Sequence, residues 1–461
     1  MTPTQLAGLC QRHQAALLSS DDDKLVIAVV GNPPSPLMDA LRFATQKRID
    51  IECWDGERME QHRRRAQETP PPAAREAGGS AVALLNQIFG QALAQRASDI
   101  HIEPAPDGLH IRLRIDGVLH PLSRQTPAMS APLIARLKVL GGLDIAERRL
   151  PQDGQFSVDV SGSPLSLRIA TLPCREGEKV VLRVLQQVEQ ALDIAKLGLL
   201  PDQLQALRRA LAQPQGLILV TGPTGSGKTV TLYSALQALN RPEVNICSVE
   251  DPVEIPLAGI NQTQINVRAG LTFQSVLRAL LRQDPDIIMV GEIRDAETAE
   301  IAIKAAQTGH LVVSTLHTNS TSETLVRLQQ MGIARWMISS GLLMVVAQRL
   351  VRRLCPWCQQ QHGDVTELPA SLWPRALPRW RAPGCERCCG GFSGRLALFE
   401  VLTVDAAVRR AIIDGASPEA LDDLARRAGM ATLFEHGCEA VERGQTTVEE
   451  LLRVLGAPGG G

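Results

Sequence analysis

Short apolar runs alternate with helical stretches through the middle of the chain, and each run has the length of a buried strand. The runs lie at residues 217–220, 244–249, 287–290 and 311–314. This alternation is typical of a parallel sheet that helices cover on both faces. Residues 206–350 are therefore predicted to form an α/β domain.

The region before it, residues 80–205, has a different pattern. It opens with a helix from Ser80 to Arg96, and several strands of alternating polarity follow. Alternate residues of a strand point to opposite faces, so these strands each have a polar face. Arginines lie on three of them, and these side chains either meet solvent or serve an anionic ligand. We predict an α+β domain that carries the arginines Arg114, Arg168 and Arg183.

The two ends of the chain have simpler patterns. Residues 1–65 are predicted to be a small α/β module, with a strand, a helix and a strand at residues 25–30, 36–44 and 49–54. Three consecutive prolines predict an extended linker over residues 66–79. The cysteine-bearing residues 351–395 are loop-rich. Residues 396–461 are predicted to be helical, with helices at 406–414, 418–428 and 448–455.

Size and composition narrow the function classes. At 461 residues the chain is long enough for about three domains. It has 48 basic and 49 acidic residues, a balance that argues against nucleic acid as the main partner. No apolar run approaches the roughly 20 residues of a membrane span, and no secretory signal is expected at the N-terminus. The ten cysteines suit a reducing cytosol better than a disulfide framework.

A glycine-rich loop follows the first apolar run and precedes a helical stretch. It matches the phosphate-binding pattern G-x-x-x-x-G-K-[ST] at every fixed position. The glycines allow a tight turn whose N–H groups point at an anion, and the helix adds partial positive charge. Lys228 is predicted to reach the β- and γ-phosphates of a nucleoside triphosphate, and Thr229 to ligate Mg²⁺. The predicted nucleotide-binding residues are Gly222, Pro223, Thr224, Gly225, Ser226, Gly227, Lys228 and Thr229.

ATP hydrolysis also needs an acid that orients the attacking water. Two apolar strands end in carboxylates, Glu250 and Glu292, at the edge where ligands bind in open α/β sheets. We expect Glu292 to orient the water, with Glu250 as the other candidate. Gly291 stands where many P-loop enzymes have an aspartate. His317 follows the last apolar run and is expected to sense the γ-phosphate.

Two Cys-x-x-Cys pairs lie 26 residues apart. Each pair offers two thiolates to one ion, so the two together predict a tetrahedral Zn²⁺ site. Four sulfur ligands leave no open position, which makes this zinc structural. Cys389 remains an alternative to Cys388 as the fourth ligand. The predicted zinc ligands are Cys355, Cys358, Cys385 and Cys388.

Together these motifs closely resemble those of the secretion ATPases of type II secretion systems and type IV pilus assembly, over about residues 80–400. Residues 98–104, 114–118 and 148–154 add to the resemblance, and a glycine before Glu292 is the family's form of that motif. The resemblance implies a RecA-like P-loop NTPase domain preceded by an α+β, PAS-like domain. A small zinc-binding subdomain and a helical C-terminus are expected to follow.

The resemblance also implies a function. It is that of a cytoplasmic, ring-forming ATPase, expected to be a hexamer, that associates peripherally with the inner membrane through a platform protein. ATP and Mg²⁺ would bind between the P-loop domain and the preceding domain, and the zinc would be structural. Closure of the two domains would bring a cation onto the phosphates, with Arg114, Arg168 and Arg183 as candidates. Hydrolysis would drive pilin or pseudopilin subunits out of the membrane.

Two rival functions stay open. The same fold could serve a nucleotide-gated regulator that hydrolyses little ATP, although intact Lys228 and Glu292 argue against this. The same motor could translocate DNA or retract pili. The near-neutral charge and the lack of a basic, aromatic-rich groove argue against DNA. The residues do not separate protein secretion, pilus assembly and a DNA-uptake pilus, which share one motor.

Overall fold

The computed structural model describes most of the chain. The described residues are 10, 15–20, 24–31, 33–34, 37–38, 41, 45, 47–56, 58–59, 72–160, 162–185, 192–365, 368 and 373–456. The chain divides into two compact units, Met1–Gln87 with Thr126–Leu137, and Ile88–Gln125 with Lys138–Gly461. The six segments predicted from the sequence stay predictions.

The first unit contains a three-stranded sheet. Its strands are β1 (Ala16–Ser20), β2 (Lys24–Val30) and β3 (Arg48–Trp54). The central strand β2 pairs antiparallel with β1 and parallel with β3. Both predicted strands are confirmed, whereas most of the helix predicted at 36–44 lies outside the described residues.

Helix α1 (Pro72–Ala94) begins eight residues before the predicted start at Ser80. A proline is tolerated in the first turn of a helix, where its missing N–H has no partner to lose. The prediction of an extended linker is therefore wrong for residues 72–79, and residues 66–71 lie outside the described part of the chain.

The second unit begins with a six-stranded antiparallel sheet in the order β6-β5-β4-β9-β8-β7. Along β5 the apolar residues are buried and the arginines between them only partly so, as the alternation predicts. Helix α2 (Pro127–Leu140) connects β6 to β7. The strands are β4 (Asp99–Ala105), β5 (Gly108–Ile115), β6 (Val118–Gln125), β7 (Gln152–Val160), β8 (Ser163–Cys174) and β9 (Gly177–Leu185).

A seven-stranded sheet follows, in the order β12-β11-β13-β14-β10-β15-β18. All of its pairs are parallel except β15 with β18, and apolar clusters cover both faces. The α/β class is confirmed. The strands are β10 (Gly216–Thr221), β11 (Ile246–Glu250), β12 (Asn261–Gln264), β13 (Ile287–Val290), β14 (Leu311–Leu316), β15 (Leu342–Leu354) and β18 (Phe392–Thr403).

Helices connect these strands. They are α3 (Pro201–Leu211), α4 (Lys228–Leu239), α5 (Phe273–Leu280), α6 (Ala296–Gln307), α7 (Thr321–Gln330) and α8 (Arg335–Gly341). Two short 3₁₀ turns lie at Ile194–Lys196 and Val267–Ala269. No helix in the described ranges combines the length and apolar content needed to cross a bilayer.

The C-terminal part differs from the prediction in one respect. Residues 396–403 belong to β18 and are not helical, because a continuously buried strand has no periodicity that separates it from a helix. The hairpin β16 (Gln360–Val365) and β17 (Leu377–Arg381) lies between the cysteine pairs. Four helices then follow: α9 (Ala406–Asp414), α10 (Pro418–Arg427), α11 (Leu433–Glu442) and α12 (Val448–Leu455). The three predicted helices are confirmed as α9, α10 and α12.

Candidate functional site

The loop between β10 and α4 packs closely against the neighbouring strand β15. Gly222 and Gly227 have φ values of 150° and 90°, which L side chains rarely adopt. A Cβ on Gly222 would lie 2.5 Å from the Gln348 carbonyl oxygen, and one on Gly227 would lie 2.8 Å from Gln348 Nε2. Only glycine fits at these two positions, so bare backbone lines the turn.

Lys228, the first residue of α4, folds back over this loop. Its Nζ donates to the carbonyl oxygens of Gly222 (2.7 Å) and Pro223 (3.2 Å). Burial lowers the pKa of Lys228 to about 8, and nearby Arg349 adds to this while Glu292 opposes it. A buried cation whose hydrogen bonds go only to carbonyl groups is ready to accept an anion.

Ser226 adds a second indication of an anion site. Its Oγ is buried and has no hydrogen-bond partner among the described residues. Buried hydroxyls normally have a partner, so an unpaired one beside a glycine-rich turn fits a phosphate oxygen. Thr229, next to Lys228, is exposed, and its role as a ligand of Mg²⁺ stays a prediction. The residues present fit a nucleoside triphosphate.

The structure places Glu292 and His317 beside each other at the ends of β13 and β14. Glu292 Oε2 lies 3.5 Å from His317 Nε2, and its other oxygen pairs with Arg294. Burial lowers the pKa of His317, and Lys228 lowers it further, while Glu292 has the opposite effect. The proposed acid and the proposed sensor thus share one cluster with Lys228. Their catalytic roles stay predictions.

Gly291 lies close to the backbone at the end of β11, where a residue with a side chain would be crowded. A Cβ there would lie 3.2 Å from the Val249 carbonyl oxygen and 3.4 Å from Glu250 Cα. A side chain at this position would push β13 away from the end of β11. An aspartate therefore does not fit before Glu292 without movement of the neighbouring strand.

Glu250 is engaged on both carboxylate oxygens. Oε1 accepts from Ser248 Oγ (2.5 Å) and Gln262 Nε2 (3.1 Å), and Oε2 accepts from the hydroxyl of Tyr233. Burial and this hydrogen bond raise the pKa of Tyr233. Glu250 is only 3% exposed, and it ties α4, β11 and β12 together. Both oxygens of Glu292 have ion-pair partners too, but Glu292 is only half-buried, so it is the more accessible of the two candidates for water activation.

The three candidate arginines lie on the six-stranded sheet. Arg183 Nε is 3.0 Å and Arg114 Nε 3.8 Å from the carboxylate of Asp99, which is buried. Arg168 is the cross-strand neighbour of Arg183. In this conformation Asp99 holds two of the three within their own sheet. Their role as cation donors to a nucleotide stays a prediction.

Sequence reasoning missed several polar residues of the site. Thr221, at the end of β10, contacts Thr318 through both hydroxyls (2.7 Å) and accepts from the Thr318 N–H (2.9 Å). These bonds join the end of the phosphate-loop strand to the His317 loop. Gln348 and Arg349 on β15 were missed as well. Their signal is a pair of polar residues directly after the apolar run that opens this strand.

The four predicted zinc ligands converge. All four Sγ atoms lie within 4.8 Å of one another, and the Cys355–Cys385 and Cys358–Cys388 sulfurs are 3.8 Å apart. Four sulfurs at about 2.3 Å from one tetrahedral ion would be separated by about 3.8 Å, so the set fits Zn²⁺. Cys389 Sγ instead lies 3.5 Å from His120 Nδ1. Cys388, and not Cys389, is therefore the fourth member.

Fold and loop define the class, an α/β P-loop protein with a carboxylate and a histidine at the ends of neighbouring strands. The chain belongs to the family of type II/IV secretion system proteins, whose family model matches residues 75–453. The resemblance inferred from the motifs is thereby confirmed.

Relatives support this assignment. The protein transport protein HofB homolog of Escherichia coli (strain K12) is 63% identical over 460 residues, which cover 100% of both chains. The type II secretion system ATPase E of Vibrio cholerae serotype O1 is 45% identical over 81% of this chain and 75% of its own length. Among solved structures, the pilus retraction motor PilT with bound ADP is 28% identical, with a TM-score of 0.55, over 81% of this chain and 97% of PilT.

Proposed function

We propose that this protein hydrolyses ATP to power the assembly of pilin or pseudopilin subunits in type II secretion or type IV pilus biogenesis. The observation that carries the proposal is the cluster of Lys228, Glu292 and His317 around a glycine-lined turn. It lies in a chain 45% identical to a type II secretion ATPase. Similarity to the retraction motor PilT is lower, at 28%, which favours assembly over retraction.

Each residue of the cluster has a chemical part in hydrolysis. Lys228 exchanges its two carbonyl partners for phosphate oxygens, and the Ser226 hydroxyl pairs with a phosphate oxygen. Glu292 orients the attacking water, and His317 contacts the γ-phosphate from the next strand. Mg²⁺, when bound at Thr229, supplies positive charge beside the transferring phosphoryl group.

The working form is a ring of identical subunits, with six as the expected number, which docks on an inner-membrane platform protein from the cytoplasmic side. Release of Arg114 or Arg183 from Asp99 frees a guanidinium to neutralise phosphate charge when the domains close. The zinc at the four cysteines is structural. The balance of 48 basic against 49 acidic residues favours a protein cargo over DNA.

A phosphate-release assay on Glu292→Gln tests the proposal. The amide keeps the size of the side chain but cannot take part as a carboxylate. We expect ATP affinity within about threefold of wild type and a turnover lower by about 100-fold or more. Glu300→Gln, at an exposed position of helix α6, is the matched control and should turn over normally. Lys228→Ala should lose nucleotide binding.

Two results would contradict the proposal. Normal turnover by Glu292→Gln would remove the assigned role of this residue. A wild-type protein that binds ATP tightly but releases no phosphate would instead support the nucleotide-gated regulator.

A further inference from the structure

Strand β15 carries a buried cation, Arg349, beside the residues that we assign to hydrolysis. Arg349 is 7% exposed, and its Nη2 donates to the backbone oxygen (2.9 Å) and to Oδ1 (3.2 Å) of Asn319. Its Nη1 donates to the carbonyl oxygen of Gln348 (3.0 Å). All three acceptors are uncharged. Burial lowers the pKa of Arg349, and the carboxylates of Glu400 and Glu323 oppose this. A buried guanidinium is costly, and the hydrogen bonds of this one go to the neighbouring loop and to its own strand.

Its acceptor Asn319 lies two residues after His317. Two other hydrogen bonds hold the loop 317–319. The Thr318 N–H donates to Thr221 Oγ1 (2.9 Å), and the Asn319 N–H donates to Glu323 Oε2 (2.8 Å). Arg349 is thus the contact that joins this loop to β15. The His317 ring in turn lies 3.5 Å from Glu292.

The residue before it contacts the other half of the site. Gln348 Oε1 accepts from Thr231 Oγ1 on α4 (2.7 Å), and the Gln348 backbone and side chain press against Gly222 and Gly227. Two consecutive residues of one strand therefore contact the phosphate loop and the His317 loop. Strand β15 therefore adds to the Thr221–Thr318 hydrogen bonds in fixing the spacing between the two loops.

We propose that Arg349 is a positioning residue for ATP hydrolysis, which holds the loop 317–319 so that His317 and Glu292 meet the γ-phosphate correctly. Through its two-pronged bond to Asn319 it acts on the geometry of the reacting complex and does not itself touch the nucleotide. The inference rests on the proposed ATPase activity. A group that acts only through geometry affects turnover more than binding.

Steady-state phosphate release by Arg349→Gln tests the inference. We expect kcat to fall by about 10- to 100-fold while KM for ATP changes by less than about threefold. Arg349→Lys keeps the positive charge but not the planar guanidinium with its paired donors, so it should recover part of the rate. Arg353→Gln on the same strand is exposed and should behave as wild type.

Asn319→Ala distinguishes a positioning role of Arg349 from a role in folding alone. Asn319 is exposed, so this variant should fold. This variant should lower kcat, and its combination with Arg349→Gln should be no slower than Arg349→Gln alone. The inference is overturned if the two losses multiply, if Arg349→Gln keeps its kcat, or if Arg349→Lys is as slow as Arg349→Gln.

Failure of the proposed activity gives a different result. If the wild-type protein releases no phosphate, the inference is judged on hydrogen exchange of the backbone amides of residues 317–319 in the complex with a non-cleavable ATP analogue. Both proteins should bind the analogue with affinities within about threefold of each other, and these amides should exchange about tenfold faster in Arg349→Gln than in wild type. Equal exchange in both proteins would then overturn the inference.

Discussion

Lys228 should take up a proton when a nucleotide binds above neutral pH. Burial lowers its pKa to about 8 in the nucleotide-free protein, so the ammonium deprotonates close to physiological pH. Phosphate oxygens stabilise the charged form, and we expect them to return the pKa to its ordinary range of about 10.4. A pKa that is higher in the complex than in the free protein requires proton uptake on binding.

The size of the effect follows from the free pKa of about 8. About 10% of Lys228 is neutral at pH 7, about half at pH 8 and about 90% at pH 9. Proton uptake per bound nucleotide should therefore rise from ~0.1 through ~0.5 to ~0.9. Because the charged form binds, the affinity should fall by about tenfold between pH 7 and pH 9.

Titration calorimetry in buffers of different ionisation enthalpy measures this uptake directly. The ligand is a non-cleavable ATP analogue with Mg²⁺, at pH 7.5 and above so that His317 stays neutral. Lys228→Arg is the matched control, because a guanidinium does not titrate in this range. The reasoning is refuted if uptake does not increase with pH, or if Lys228→Arg takes up as many protons as wild type.

Two further predictions concern stability and metal binding. Burial raises the pKa of Glu450, but hydrogen bonds from Arg453 and Arg352 outweigh it and lower the pKa to about 2, so this carboxylate stabilises the fold above pH 4.5 and ceases to do so towards pH 2. In urea unfolding at pH 7, Glu450→Gln should lower the free energy of unfolding by about 3 kcal/mol, and this difference from wild type should shrink below pH 4.5. Glu449→Gln, at the neighbouring position, is the control and should unfold like wild type. Elemental analysis should find about one zinc per chain, which Cys358→Ser loses and Cys389→Ser keeps; zinc loss by Cys389→Ser would contradict the assigned ligand set.

The placement of the main site residues was predictable from the sequence because their motifs are local. A phosphate loop needs glycines, a lysine and a threonine at fixed spacing between a strand and a helix, and Gly222 to Thr229 meet that need within eight residues. The carboxylate Glu292 ends an apolar run in the same way. The position of each relative to a buried strand fixes where its side chain emerges from the sheet.

What sequence reasoning missed depends on contacts between distant segments. Strand β18 pairs with β15 across an intervening hairpin, and its buried residues alone do not distinguish strand from helix. Tyr233 and Arg349 gain their roles only from partners far away in sequence. The choice between Cys388 and Cys389 likewise depends on which thiol turns towards the other pair and which towards His120.

Strand β15 makes the phosphate loop and the four-cysteine cluster parts of one body. It pairs with β10 on one edge, from Leu342 to Ala347, and with β18 on the other, from Met344 to Leu354. The residue after its end is Cys355 of the cysteine cluster, about 20 Å along the strand from Arg349 at ~3.3 Å per residue. A strand paired on both edges cannot slide without breaking its ladder of hydrogen bonds. Any movement of the phosphate loop together with this sheet therefore carries the cysteine cluster with it.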